Sequence, residues 1–93
     1  MTRKDTYKNG QKVWKQKGET LAYYYKNGVL KAQGKSINGS MEGKWIFNRE
    51  SGALWQIGHF KGNQKHGSWI RYDRNGKEEY RADFAEGKLV KKH

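Results

Sequence analysis

Apolar and aromatic residues in this chain alternate with polar ones inside short segments, and the whole pattern returns every 24 residues. Laid on itself at that offset, the chain gives three rows: Leu21-Ala22-Tyr23-Tyr24-Tyr25-Lys26-Asn27-Gly28, Trp45-Ile46-Phe47-Asn48-Arg49-Glu50-Ser51-Gly52 and Trp69-Ile70-Arg71-Tyr72-Asp73-Arg74-Asn75-Gly76. The register continues through Leu30 and Leu54, Gly34 and Gly58, Gly43 and Gly67, and Phe60 and Phe84, then slips by one where Gly62 answers to Gly87. A repeat this short, with period-2 alternation between Gly-marked breaks, reads as two strands per unit. Strands of six to nine residues follow, which suits a meander and leaves no room for a long helix.

Turn chemistry supports the reading. Asn27-Gly28 and Asn75-Gly76 are hairpin signals because both residue types tolerate φ > 0, and Ser51-Gly52 holds the same place in the middle unit. The second turn of each unit is expected to be a longer polar loop, Asn38 to Gly43 and Gly62 to Gly67. Tyr7-Lys8-Asn9-Gly10 echoes Tyr25-Lys26-Asn27-Gly28 at a spacing of 18, so it is either a shortened unit or an inter-repeat loop. Val13-Trp14 and Leu89-Val90 are expected at the sheet edges, where nearby lysines discourage edge-to-edge pairing.

The expected fold is therefore all-β: an antiparallel β-meander of successive hairpins in a single-layer, elongated sheet, with about 3 to 3.5 repeats of 24 residues. Residues 1–93 form one domain, with a partial unit at 1–18, repeats at 19–42, 43–66 and 67–90, and a tail at 91–93. Two strands per period bring equivalent side chains to about 10 Å from one another. Leu21, Trp45 and Trp69 should share one face with Tyr23, Phe47 and Arg71; Ala22, Ile46 and Ile70 should face the other way with Tyr24, Asn48 and Tyr72. The tryptophan ladder is expected to be core, and Tyr23, Tyr24, Tyr72 and Tyr80 to fill the pleat more than to make contacts.

Composition narrows the function. A 93-residue chain has a thin core, and 33% apolar content is low, but four Trp, six Tyr and three Phe supply buriable area. The absence of cysteine removes thiolate chemistry, Cys-based zinc sites and disulfides. No apolar stretch approaches the roughly 18 residues of a membrane span. The N-terminal Met1-Thr2-Arg3-Lys4-Asp5 lacks the apolar core of a signal peptide, so a cytoplasmic protein is expected. The formal charge of +11 from 20 basic and nine acidic residues favours acidic protein, nucleic acid or anionic membrane as partner.

Gly43-Lys44-Trp45, Gly67-Ser68-Trp69-Ile70-Arg71-Tyr72, Tyr25-Lys26-Asn27-Gly28 and Asp73-Arg74-Asn75-Gly76 resemble the bacterial MORN-variant repeat over about residues 7–89. Leu21 departs from the expected Trp, Asn48 from the expected Tyr, and the first unit is short. The resemblance implies an elongated antiparallel meander. Many bacterial proteins with such repeats serve as antitoxin or immunity proteins, while eukaryotic ones associate with acidic lipids and protein scaffolds. It thus implies a small inhibitor that blocks a protein partner, by analogy of fold alone.

No catalytic, cofactor or metal residue is expected. His59, His66 and Asp83 could approach one another, but their spacing is no ligand signature, and terminal His93 is expected to be disordered. Adjacent Glu78 and Glu79 point to opposite faces of a strand. Gly62 to Ser68 lacks the lysine and the following helix of a phosphate loop. Two readings remain. A protein-binding, non-enzymatic module would use Tyr24, Arg49, Trp55, Arg71 and Tyr72 as contacts, since aromatic residues and arginine anchor interfaces. A polyanion binder for nucleic acid or anionic lipid would use Lys12, Lys15, Lys17, Lys31, Lys35 and Arg81.

Overall fold

The computed structural model describes residues 5–93, which contain strands and turns and no helix; the expectation resting on Met1 to Lys4 lies outside the described residues. In chain order the strands are β1 Trp14–Lys17, β2 Thr20–Tyr24, β3 Leu30–Ile37, β4 Ser40–Asn48, β5 Leu54–Lys61, β6 Gln64–Lys65, β7 Gly67–Tyr72, β8 Glu78–Ala85 and β9 Lys88–Lys92. They form one open antiparallel sheet in the order β1-β2-β3-β4-β5-β7-β8-β9, with β6 paired to the end of β5. The meander is the expected one. Its extents are 41 × 34 × 23 Å.

Register turns the 24-residue period into lateral rows. One row runs Leu21, Gly34, Trp45, Gly58, Trp69, Ala82 across six strands. A second, two residues along the same face, runs Trp14, Tyr23, Ala32, Phe47, Gln56, Arg71, Tyr80. The opposite face carries Lys15, Ala22, Gln33, Ile46, Ile57, Ile70 and Arg81 in one row.

Large and small residues alternate along the first row, and this builds a core without a second layer. Trp45 is wholly buried and Trp69 only 3% exposed, because each indole lies across the sheet over its glycine neighbour. A methyl built on Gly34 would overlap the Trp45 ring, and one on Gly58 the Trp69 ring. Phe60 stands edge-on to both indoles, with centroids 6.2 Å from Trp45 and 5.1 Å from Trp69. Phe84 extends the aromatic stripe from Trp69. Edge-to-face rings of this kind add to simple area burial.

The turns differ from expectation in two ways, and the C-terminus in a third. First, Asn38 to Gly43 and Gly62 to Gly67 are not long loops. Tight two-residue turns at Asn38-Gly39 and Gly62-Asn63 suffice, and both residues of each are left-handed (φ 51° and 82°, 57° and 70°). Strand pairing resumes at once, Ile37 with Ser40 and Lys61 with Gln64, because the polar residues of the supposed loops alternate as strand residues do. Glu86-Gly87 is the same turn 24 residues on, so the slip at Gly87 is only a glycine changing its place within the turn.

Second, the Asn-Gly hairpins are wider than the two-residue kind. Tyr25 N–H donates to the Val29 carbonyl (2.8 Å) and Gly28 N–H to the Tyr25 carbonyl (2.9 Å), with only Gly28 left-handed. Asn27 contributes its side chain instead, Oδ1 accepting from Val29 N–H at 3.0 Å. Tyr7 to Gln11 repeats the two backbone bonds at 2.7 and 2.9 Å, which identifies a shortened unit. Its spacing is 18 because β1 and β2, of 4 and 5 residues, replace strands of 8 and 9, while three residues instead of one separate the turn glycine from the first strand.

Third, residues 91–93 are not a loose tail. Lys91 and Lys92 pair with Asp83 and Ala82, and the backbone N–H of His93 donates to the Arg81 carbonyl at 2.8 Å.

Candidate functional site

Each repeat contains a bulge at the same place. Pairing passes from Tyr23–Ala32 to Tyr24–Leu30, from Phe47–Gln56 to Asn48–Leu54 and from Arg71–Tyr80 to Tyr72–Glu78. The residues left over are Lys31, Trp55 and Glu79, 24 apart. A bulge re-aims the side chain it carries, and here it brings Lys31 and Trp55 to the aromatic face.

There they border a cleft of about 300 Å³ lined also by Tyr23, Tyr25, Ala32, Met41, Trp45, Phe47 and Asn48. Buried Ala32 and Trp45 form its floor, and the half-buried rings of Tyr23, Tyr25, Phe47 and Trp55 its walls. The walls are held: Tyr25 Oη donates to the Asn48 carbonyl (2.7 Å), and Asn48 Nδ2 to the Leu30 carbonyl (3.1 Å). Among the described residues, exposed Lys31 is the one charged residue of the lining, its Nζ 5.5 Å from the Tyr25 ring centre. The arrangement can hold an apolar or planar group beside a positive charge. It offers no nucleophile with a base in reach.

The five expected protein contacts separate. Trp55 lines the cleft, and Arg71 lies on the same face, its Nε 3.1 Å from Glu79 Oε2 and its guanidinium 4.7 Å from the Tyr80 ring centre. Tyr24 and Tyr72 continue the opposite face. Arg49 belongs to the turns, where Nη2 donates to the Tyr72 carbonyl at 3.0 Å.

The six expected polyanion contacts separate only in part. Lys15, Lys17 and Lys35 share one end of the opposite face, where Thr20 pairs with both Lys17 and Lys35; Arg81 lies farther along that face, Lys31 is at the cleft, and Lys12 sits in an isolated bridge with Thr6. Lys15 and Arg81 end one row, about 29 Å apart at 4.8 Å per strand. Lys35 Nζ is 3.7 Å from Glu19. Arg81 is engaged by Glu78 at 2.7 and 3.1 Å, a hydrogen-bonded pair that lowers the Glu78 carboxyl pKa and raises that of Arg81.

The histidines take separate partners. His59 Nδ1 is 3.0 Å from the Ser68 carbonyl, His93 Nε2 is 2.8 Å from Asp83, and His66 is exposed. Among the described residues no three His, Asp or Glu side chains converge as a metal-ligand group. Glu78 and Glu79 pair with different arginines, Arg81 on the opposite face and Arg71 on the aromatic face, because the bulge turns Glu79 to the aromatic side.

Sequence reasoning missed Tyr25, Met41 and Phe47 as site residues, and assigned Lys31 only to polyanion binding. The available signal was the column Lys31, Trp55, Glu79; strict alternation puts it on the wrong face, because a bulge breaks parity. The chain matches no protein-family model, no curated protein and no solved structure. Among the described residues no helix is long and apolar enough to cross a membrane.

Proposed function

We propose that this protein is a non-enzymatic binding module that holds a protein partner on its aromatic face and blocks it, in the manner of an antitoxin or immunity protein. The observation that carries the reading is the cleft at Trp55: four half-buried rings stand over a buried floor. Interface anchors are typically aromatic side chains in preformed, desolvated pockets. The charge of +11 would steer an acidic partner, raising the association rate more than the affinity. The resemblance to MORN-variant repeats points the same way.

The immobilised chain, incubated with an extract of its host, should retain one defined acidic protein at stoichiometric yield. Trp55→Ala should release it while circular dichroism stays unchanged. Retention should change little between about 50 and 200 mM salt. Retention of nucleic acid or anionic vesicles instead, collapsing by roughly 10³-fold over that interval, would establish the polyanion reading and overturn this one.

A further inference from the structure

We propose that the cleft receives an extended acidic segment of the partner, which sets a carboxylate on Lys31 and an adjoining bulky apolar side chain against Phe47 and Trp55. This rests on the protein-binding reading and specifies the partner's chemistry.

The repeat supplies its own comparison. One unit further along, Arg71 stands where Phe47 and Tyr23 stand, and Glu79 where Trp55 and Lys31 stand. There the fold fills the space from within: Arg71 lies over the Tyr80 ring and meets Glu79 at 3.1 Å. Glu79, the bulge residue of that unit, is thus met by an opposite charge that rests on an aromatic ring. Lys31, the equivalent bulge residue, itself lies near the Tyr25 ring, and no described carboxylate pairs with it. An anionic group from a partner would complete the same pairing at Lys31.

Size and charge narrow the class. A cleft of about 300 Å³ is at the small end of ligand sites, with room for one bulky side chain rather than for the several anchors of a docked helix face. One bulky side chain on an extended backbone fits. A single ammonium at the rim matches a singly charged carboxylate, whereas phosphate sites recruit several donors. A cationic occupant would face Lys31 at close range.

The test titrates the isotope-labelled full chain with three blocked pentapeptides, Gly-Asp-Phe-Glu-Gly, Gly-Asn-Phe-Gln-Gly and Gly-Lys-Phe-Lys-Gly, and with thymidine monophosphate, each to about 1 mM, a dissociation constant worth only about 4 kcal/mol. The acidic peptide should shift the Lys31 and Phe47 amides and the Trp55 indole N–H saturably. The neutral peptide should bind about two- to fivefold more weakly, the range of an exposed ion pair, and the basic one more weakly still. Lys31→Glu should reverse the order of acidic and basic peptides while the buried Trp45 and Trp69 indole signals stay in place, which reports an intact fold. Equal binding of the three peptides, no saturable shift, an order unchanged in Lys31→Glu, or tighter binding of the nucleotide would each overturn the inference. If the peptides fail but Trp55→Ala still releases the captured protein, the inference falls and the binding reading stands. If capture is also insensitive to Trp55, both fall.

Discussion

The Trp45 indole lies over Gly34, its partner on the neighbouring strand, and donates Nε1–H to the Lys35 carbonyl at 3.0 Å. Trp69 does the same one unit on, over Gly58, with its Nε1–H on the His59 carbonyl at 2.9 Å. A single sheet thereby buries its largest side chains against its own backbone and leaves no indole donor unsatisfied at these two positions, which matters because an unpaired buried donor is costly.

Gly34→Ala and Gly58→Ala should each destabilise the fold by about 1–3 kcal/mol or more, since the added methyl overlaps a ring wedged by neighbours. Trp45→Ala should cost about 3–5 kcal/mol. Urea unfolding of the three variants checks this; a Gly34→Ala variant as stable as the parent would refute the packing argument.

The wide turns are joined by side chains. Asn9 Nδ2 donates to the Lys26 carbonyl (2.9 Å) and Asn27 Nδ2 to the Glu50 carbonyl (3.2 Å). Ser51 occupies the next rung and is too short, which leaves an opening of about 350 Å³ bordered by Arg49, Ala53 and Arg74. Ser51→Asn should restore the rung toward the Arg74 carbonyl and add about 0.5–1.5 kcal/mol, a rise of several degrees in Tm. Asn27→Ala should lower Tm. A melting curve that leaves Ser51→Asn at or below the parent counts against the ladder.

Arg49 is a structural staple in this view. Tyr7 and Tyr25 at the equivalent positions reach the Tyr24 and Asn48 carbonyls with their hydroxyls, at 2.8 and 2.7 Å. Arg49 reaches the Tyr72 carbonyl but keeps a buried Nε with no hydrogen-bond partner among the described residues. Arg49→Tyr should therefore equal or exceed the parent in stability, by up to about 1 kcal/mol, while Arg49→Ala loses about 1–3 kcal/mol. Thermal denaturation of both separates this role from an interface role, because partner retention should survive Arg49→Tyr.

The Glu78–Arg81 pair predicts a pH effect of known sign. The Arg81 hydrogen bond, with its charge, holds the Glu78 carboxyl below the ordinary glutamate value. The folded form thus binds the proton less readily than the unfolded chain. The pair's contribution is present above the unfolded carboxylate range and is lost as pH falls through the folded value. Carboxyl-detected titration should find Glu78 lower in the parent than in Arg81→Gln, and Glu78→Gln should flatten part of the acid-side loss of stability. Identical Glu78 titration curves in the parent and Arg81→Gln would remove the linkage.

Sequence alone determined the 24-residue unit, the antiparallel meander and the division of Trp45, Phe47 and Trp69 from Ile46 and Ile70, because strand alternation and turn chemistry are local properties of the chain. It also marked Trp55 and Lys31, though without joining them. Only the tertiary structure decided the rest: that Asn27 acts through its side chain while Asn38 takes the left-handed turn, that Gly43 and Gly67 stand inside strands, and that the bulges bring Lys31 and Trp55 to the Trp45 side. A bulge is set by the pairing of two strands at once. One extra residue reverses the parity of everything read along a single strand, so the cleft exists only after the neighbouring strand has fixed the register.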